Sequence, residues 1–195
     1  MQNIIVREMI SRGGNNMLLE LLQERRSIRR YSEEEVKGED VQTLVQAALL
    51  SPTSRDSQPW QFVIVDDETL LQKLAQAKAG GSSFVAGADL AIVVAADPEL
   101  SDVWIEDCAI ATTNMHNMAA ALGLGSCWVQ IRRRQRQDGG SSEKFVRDVL
   151  DMPGGYRVDC LLAVGHPDEE KEAYQLEDLP YDRIHYNQYG QDTPD

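Results

Sequence analysis

The run LAIVVAA at residues 90–96 decides the architecture. It is apolar without interruption and is closed by Asp97-Pro98, so it reads as a strand covered on both faces. Three further strands are expected, over Phe62–Val65, Cys127–Ile131 and Tyr156–Val164. Between them the apolar residues recur at helical spacing, which predicts helices over Met17 to about Gln23, Glu39–Leu50, Glu68–Lys78, Asp102–Leu122 and Ser142–Asp151. Pro52 stops the second helix and Gly123 the fourth. The 102–122 helix is apolar nearly all round, which suits a central position or a subunit interface. Helices and strands alternate without internal repeats, so the expected class is α+β, one domain around one sheet.

The chain has 195 residues and a formal net charge of −13, a poor match to nucleic acid or to an anionic membrane. No apolar run reaches the roughly 20 residues that span a bilayer. Cys108, Cys127 and Cys160 are odd in number and widely spaced, without a metal-ligand or disulfide pattern, and read as buried thiols of a cytoplasmic protein. His116, His166 and His185 show no zinc spacing. Residues 1–16 look unlike the rest: RGGNN before Met17 is what a translated ribosome-binding sequence would give. The expectation is a non-native or disordered extension, with the true start at Met17 and a single domain over 17–195.

Against the acidic background stands Arg25-Arg26-Ser27-Ile28-Arg29. Arginine forks and a serine hydroxyl suit phosphate oxygens; a solvated patch at a helix C-terminus would also account for them. Two other stretches carry signal, SPTSRDSQPWQFVIV from Ser51 and GLGSCW at 123–128. In order and spacing the three together resemble the FMN-dependent nitroreductase family, from Met17 to about Tyr189. There is no Gly-x-Gly-x-x-Gly after a first strand to support a Rossmann site.

The resemblance implies a central, mainly antiparallel sheet flanked by helices, in an intertwined homodimer with FMN at the interface. It implies an NAD(P)H-dependent oxidoreductase in which NADH or NADPH passes hydride to flavin N5. A nitroaromatic, quinone or similar small acceptor then takes it in a ping-pong cycle. No protein nucleophile is implied; the flavin carries the chemistry. Arg25, Arg26, Ser27 and Arg29 match the residues on the FMN phosphate and the pyrimidine end of the ring. Pro52, Thr53 and Ser54 match positions along the ring, supplied by the other subunit. Asp56 stands where Asn is common; it could accept from the cofactor, or pair with Arg55 or Arg26. Val129, Gln130 and Ile131 match the strand whose backbone lies near N5. The C-terminal phosphate cation of the family has no clear counterpart, only Lys171 and Arg183. The Arg132–Arg136 run reads as a solvated loop, with a role on an NADPH phosphate as its alternative. A flavin store or redox sensor with little turnover is the rival function.

Overall fold

β2 (Leu90–Ala96) is buried at every residue, as a strand covered on both faces must be. The structure, a computed structural model, describes residues 17–191. The extension expected over residues 1–16 lies outside the described residues. Strands β1 (Trp60–Val65), β2, β3 (Gly125–Gln130) and β4 (Arg157–Gly165) form one sheet in the order β1-β2-β4-β3, with every neighbouring pair antiparallel. The chain is α+β, as expected.

Side chains alternate across the sheet and build two cores. Leu90, Ile92, Val94 and Leu162 pack with helices α2 (Gly38–Leu49) and α4 (Trp104–Ala121). Ala91, Val93, Leu161 and Ala163 face the other way, toward α3 (Glu68–Leu74) and α5 (Ser142–Val149). The result is three layers with the sheet in the middle. All three cysteines are buried and unpaired. Among the described residues no helix is long and apolar enough to cross a membrane.

Helix α4 ends as its sequence predicts. Gly123 takes φ +74°, its N–H donates to Ala120 O at 3.0 Å, and Leu124 N–H donates to Ala119 O at 2.8 Å. That is the Schellman pairing, which needs a residue tolerant of positive φ. Helix α3 is shorter than its apolar spacing suggests: it stops at Leu74, not Lys78. The Ser82 hydroxyl donates to Ala75 O at 2.8 Å, and Gln76 and Ala77 bond back only three residues, to Lys73 and Leu74. The chain tightens into turns before Gly80. The other boundaries shift by no more than two residues; β1, for example, starts at Trp60, two residues before Phe62.

One irregularity matters for the site. The β2–β4 register slips between Val94 and Ala95, which pair with Cys160 and Val158 and leave Asp159 between them as a β-bulge. The Asp159 carbonyl accepts from both Ile131 N–H (3.0 Å) and Arg132 N–H (2.8 Å).

By internal contacts the chain divides into a unit of the two ends, up to Arg25 and from Glu172, and a unit from Arg26 to Lys171. The first contains α1 (Met17–Glu24), tied to the C-terminal segment where Tyr174 N–H donates to Gln23 O at 2.9 Å and Gln23 Nε2 donates to Tyr174 O at 3.1 Å. The second contains the sheet.

Candidate active site

β3 is an edge strand, and its open side is where the basic motif docks. Ser27 bridges Ser126 in parallel fashion, with Ile28 N–H donating to Ser126 O at 3.0 Å. Gly125 makes that approach possible, because a Cβ there would lie 2.7 Å from Ile28 Cγ2. Ile28 is buried, so the arginines on either side of it are held at the sheet's rim. The Ser126 side chain turns the other way and meets His116 Nδ1 of α4 at 2.5 Å.

A second segment clamps the motif from the far end of the unit. Glu169 Oε1 accepts from the backbone N–H of Arg29 at 2.5 Å and of Arg30 at 3.3 Å. Lys171 Nζ donates to Ser27 O at 2.6 Å and pairs with Glu169 at 3.5 Å. These bonds, chiefly the one from Arg29 N–H, hold the Glu169 carboxyl below its ordinary range, with Lys171 adding to the effect. Asp168 N–H donates to Arg30 O at 3.0 Å, and the Arg30 guanidinium returns to Asp168 O. Tyr31 donates its hydroxyl to Ile28 O at 2.6 Å and lies against Gly165, where a Cβ would come within 3.0 Å of its ring.

The clamp leaves the Arg29 side chain exposed, its guanidinium 5.7 Å from the centre of the Phe84 ring. Burial raises the pKa of Cys127 in β3, while the positive charge of Arg29, the Ser27 hydroxyl and Lys171 pull it down. These groups therefore surround the same part of the strand. Arg25 belongs to the unit of the chain ends, where its N–H donates to Leu21 O at 2.8 Å.

At the end of β3, Val129 and Ile131 point their side chains into the core shared with α3 and α5. The backbone alternates in the opposite sense. Ile131 N–H is engaged by Asp159, and the register pairs Gln130 with Cys160. In an antiparallel ladder Gln130 therefore turns its own N–H and C=O away from β4, toward the open edge, as Ser126 does. The Gln130 side chain is fixed by a bond from Trp128 Nε1 at 3.0 Å and by its own donation to Asp159 O at 3.2 Å. Gln130, Trp128, Ile105, Ala109, Arg132 and Asp159 line a cavity of about 400 Å³. Asp159 is only 2% exposed, and burial raises its pKa against the pull of Gln130 and Arg132.

The third motif lies elsewhere. Pro52, Thr53, Ser54 and Asp56 precede β1, at the opposite edge of the sheet from β3. At about 4.8 Å per strand the separation is roughly 14 Å. Helix α4 anchors this loop: the buried Asp107 accepts from Ser54 N–H at 3.0 Å and from the Ser101 hydroxyl at 2.9 Å, and Asn114 donates to Ser51 Oγ at 2.8 Å. Arg55, Asp56 and Gln58 all have left-handed backbones, at φ +54°, +54° and +45°. The Asp56 carboxylate accepts from Gln58 Nε2 at 3.0 Å. The structure thus seats Ser27–Arg29 on the Ser126–Cys127 part of β3, with Val129–Ile131 further along the same strand, and puts Pro52–Asp56 before the strand at the opposite edge.

The sequence model of the nitroreductase family matches residues 22–84 and 76–166. A relative from Archaeoglobus fulgidus, under the provisional name NADH dehydrogenase/NAD(P)H nitroreductase, is 37% identical over 172 residues, 86% of this chain and 95% of its own. The solved FMN-dependent nitroreductase from Clostridium difficile R20291 is 43% identical, superimposes with a TM-score of 0.86 and covers 88% of this chain and 99% of that one. The NADPH:FMN oxidoreductase from Vibrio harveyi, solved with NAD+, is 25% identical with a TM-score of 0.74, covering 89% and 78%. The chain belongs to the nitroreductase family.

Proposed function

We propose that the protein is a flavin-dependent NAD(P)H oxidoreductase that binds FMN along the open edge of β3. The observation that carries this reading is the docking of Ser27–Ile28 on Ser126, on the same strand edge to which the Gln130 backbone turns four residues further on. It sets guanidinium and hydroxyl donors and an open strand edge in one line, a donor set that fits a phosphate joined to a flat hydrogen-bonding ring. The names of relatives support the cofactor and the donor: an FMN-dependent nitroreductase, an NADPH-flavin oxidoreductase and an NADPH-type FMN reductase.

In this reading Arg26 and Ser27 hold the phosphate. Arg29 sits at the pyrimidine end, where a fixed cation stabilises negative charge. Gln130 N–H fixes the ring's central edge, and Val129 and Ile131 keep that edge rigid from behind. Bound FMN supplies hydride acceptance from NADH or NADPH and hydride delivery to a small acceptor, at one site used twice. The placement of Pro52–Asp56 at the opposite sheet edge favours a homodimer in which one protomer's loop covers its partner's β3 edge. A nitroaromatic or quinone is the acceptor class.

The test is anaerobic titration of the purified protein. Bleaching of a visible flavin band by NADH or NADPH, with recovery on adding a quinone or nitroaromatic, is the expected result. Tight flavin binding with no bleaching by either nucleotide would mark a store or sensor instead.

A further inference from the structure

The basic run after β3 is not the loose loop that its composition suggests. Arg134 N–H donates to Ile131 O at 3.0 Å, and Ser142 N–H donates to Arg134 O at 3.1 Å. Gln135 bridges Ser141, and Arg136 N–H donates to Gly140 O at 2.8 Å. Gly139, at φ +82°, makes the turn. The run is a closed hairpin leading into α5.

Its arginines have divided tasks. Arg132 lies 5.9 Å from the centre of the Trp104 ring. Arg136 stacks on Phe145 at 4.1 Å and pairs with Asp138 at 2.8 Å. Arg133 and Arg134 take part in none of the ion pairs found among the described residues. With Gln135, Gly139 and Ser141 they line a cavity of about 570 Å³, and both also line the cavity that contains Gln130. Arg133 is held in the left-handed region at φ +57°, a conformation that a non-glycine residue adopts at some cost. Lys78 joins the group: Ala79 N–H donates to Gln135 O at 3.0 Å, and the Arg134 charge, after burial, lowers the Lys78 pKa. Like charges in a chain of net charge −13 have been gathered just beyond the end of β3.

The geometry points to Arg133 and Arg134, with Lys78 beside them, as the receptor for the adenosine-side phosphates of the hydride donor, above all the 2′-phosphate that distinguishes NADPH from NADH. This rests on the flavin reading of the β3 edge, since Arg133 and Arg134 line both the cavity that contains Gln130 and the larger one beside Gln135. Arginine is the natural partner of a phosphate monoester dianion, and a rigid hairpin presents it without further ordering.

Two measurements on the FMN-loaded protein test it. In steady-state kinetics, Arg133→Ala and Arg134→Ala should each lower kcat/KM for NADPH about tenfold more than for NADH. Lys144→Ala, which removes an exposed cation that lines neither cavity, should leave that ratio where it is. In calorimetry, adenosine 2′,5′-bisphosphate should bind the parent protein more tightly than adenosine 5′-phosphate, and either arginine variant should erase the difference. Equal losses for both donors, or no preference for the bisphosphate in the parent, would overturn the assignment. Failure of both nucleotides to bleach the flavin would instead overturn the functional reading, and the calorimetry would still report on the phosphates.

Discussion

Ile28 and Gly125 touch so closely that a single methyl group could not stand between them: a Cβ on Gly125 would fall 2.7 Å from Ile28 Cγ2 and 2.9 Å from Ile28 Cβ. The contact presses the arginine motif onto the sheet, so it joins stability to cofactor retention. Gly125→Ala should lower stability by about 1–3 kcal/mol, as overpacking does. Flavin content should fall with it, because Ser27 and Arg29 move with Ile28. Gly154, where an added Cβ meets nothing within 4 Å, is the control position. Thermal melts and absorbance ratios of the two variants decide the matter; equal behaviour would remove the contact from the account.

Arg29→Ala should weaken FMN binding by about 1.5–3 kcal/mol, the range for a hydrogen bond to a charged group. Arg29→Lys should recover part of this, keeping the charge and losing the fork. Fluorescence titration of the flavin-stripped protein gives both numbers. Undiminished affinity in the alanine variant would take Arg29 out of the site.

Asp107 is 2% exposed and accepts from both Ser54 N–H and the Ser101 hydroxyl. Asp107→Ala would orphan both donors, at about 1–3 kcal/mol for each that stays buried. Urea unfolding should show the loss, and limited proteolysis should cut first between Pro52 and Gln58, because the loop's anchor has gone.

The clamp on the basic motif should be sensitive to acid. Glu169 has its pKa depressed by the Arg29 N–H bond and by Lys171. A carboxylate of this kind adds stability that is fully present above its unfolded value, near 4.5, and is lost as pH falls through the lower folded value. Glu169→Gln should therefore be less stable than the parent at neutral pH, with the gap closing below that point. Melting temperatures measured from pH 7 to pH 3 give the curve; a constant gap would separate Glu169 from any titration.

If the loop of one protomer covers its partner's β3 edge, two damaged variants should repair each other. Arg29→Ala alters the edge, and Thr53→Trp obstructs the loop. Each alone should retain little flavin. Co-refolded at equal amounts, they should regain about a quarter of the parent's sites, since half the dimers would be mixed and each would carry one intact site. No recovery would argue that edge and loop serve the same chain.

Much of this could be read before any coordinates. Leu90–Ala96 had the apolar continuity of a doubly covered strand, and Gly123 the marks of a helix stop. The arginine motif stood out because its charge opposes that of the chain. What stayed hidden was whatever depends on atoms far apart in sequence. Glu169 and Lys171 act on backbone groups of Ser27, Arg29 and Arg30, some 140 residues away, and neither spacing nor periodicity reports such a contact. Asp107 shares the buried face of its helix with Thr112 and His116, and nothing in their spacing marked it out as the residue that captures the Ser54 loop. The early end of α3 at Leu74 depends on the Ser82 hydroxyl, which lies beyond the apolar pattern that suggested a longer helix.

The unpaired margin of β3 has a bearing on how this protein survives without its cofactor. Ser27–Ile28 shields the strand at Ser126; two and four residues further on, Trp128 and Gln130 turn their main-chain groups outward. An uncovered strand margin is a template for wrong pairing with other chains. The same ligand that equips the protein for redox work would then also act as its chaperone, and protein made in riboflavin-starved cells should be lost to aggregation before it is lost to unfolding.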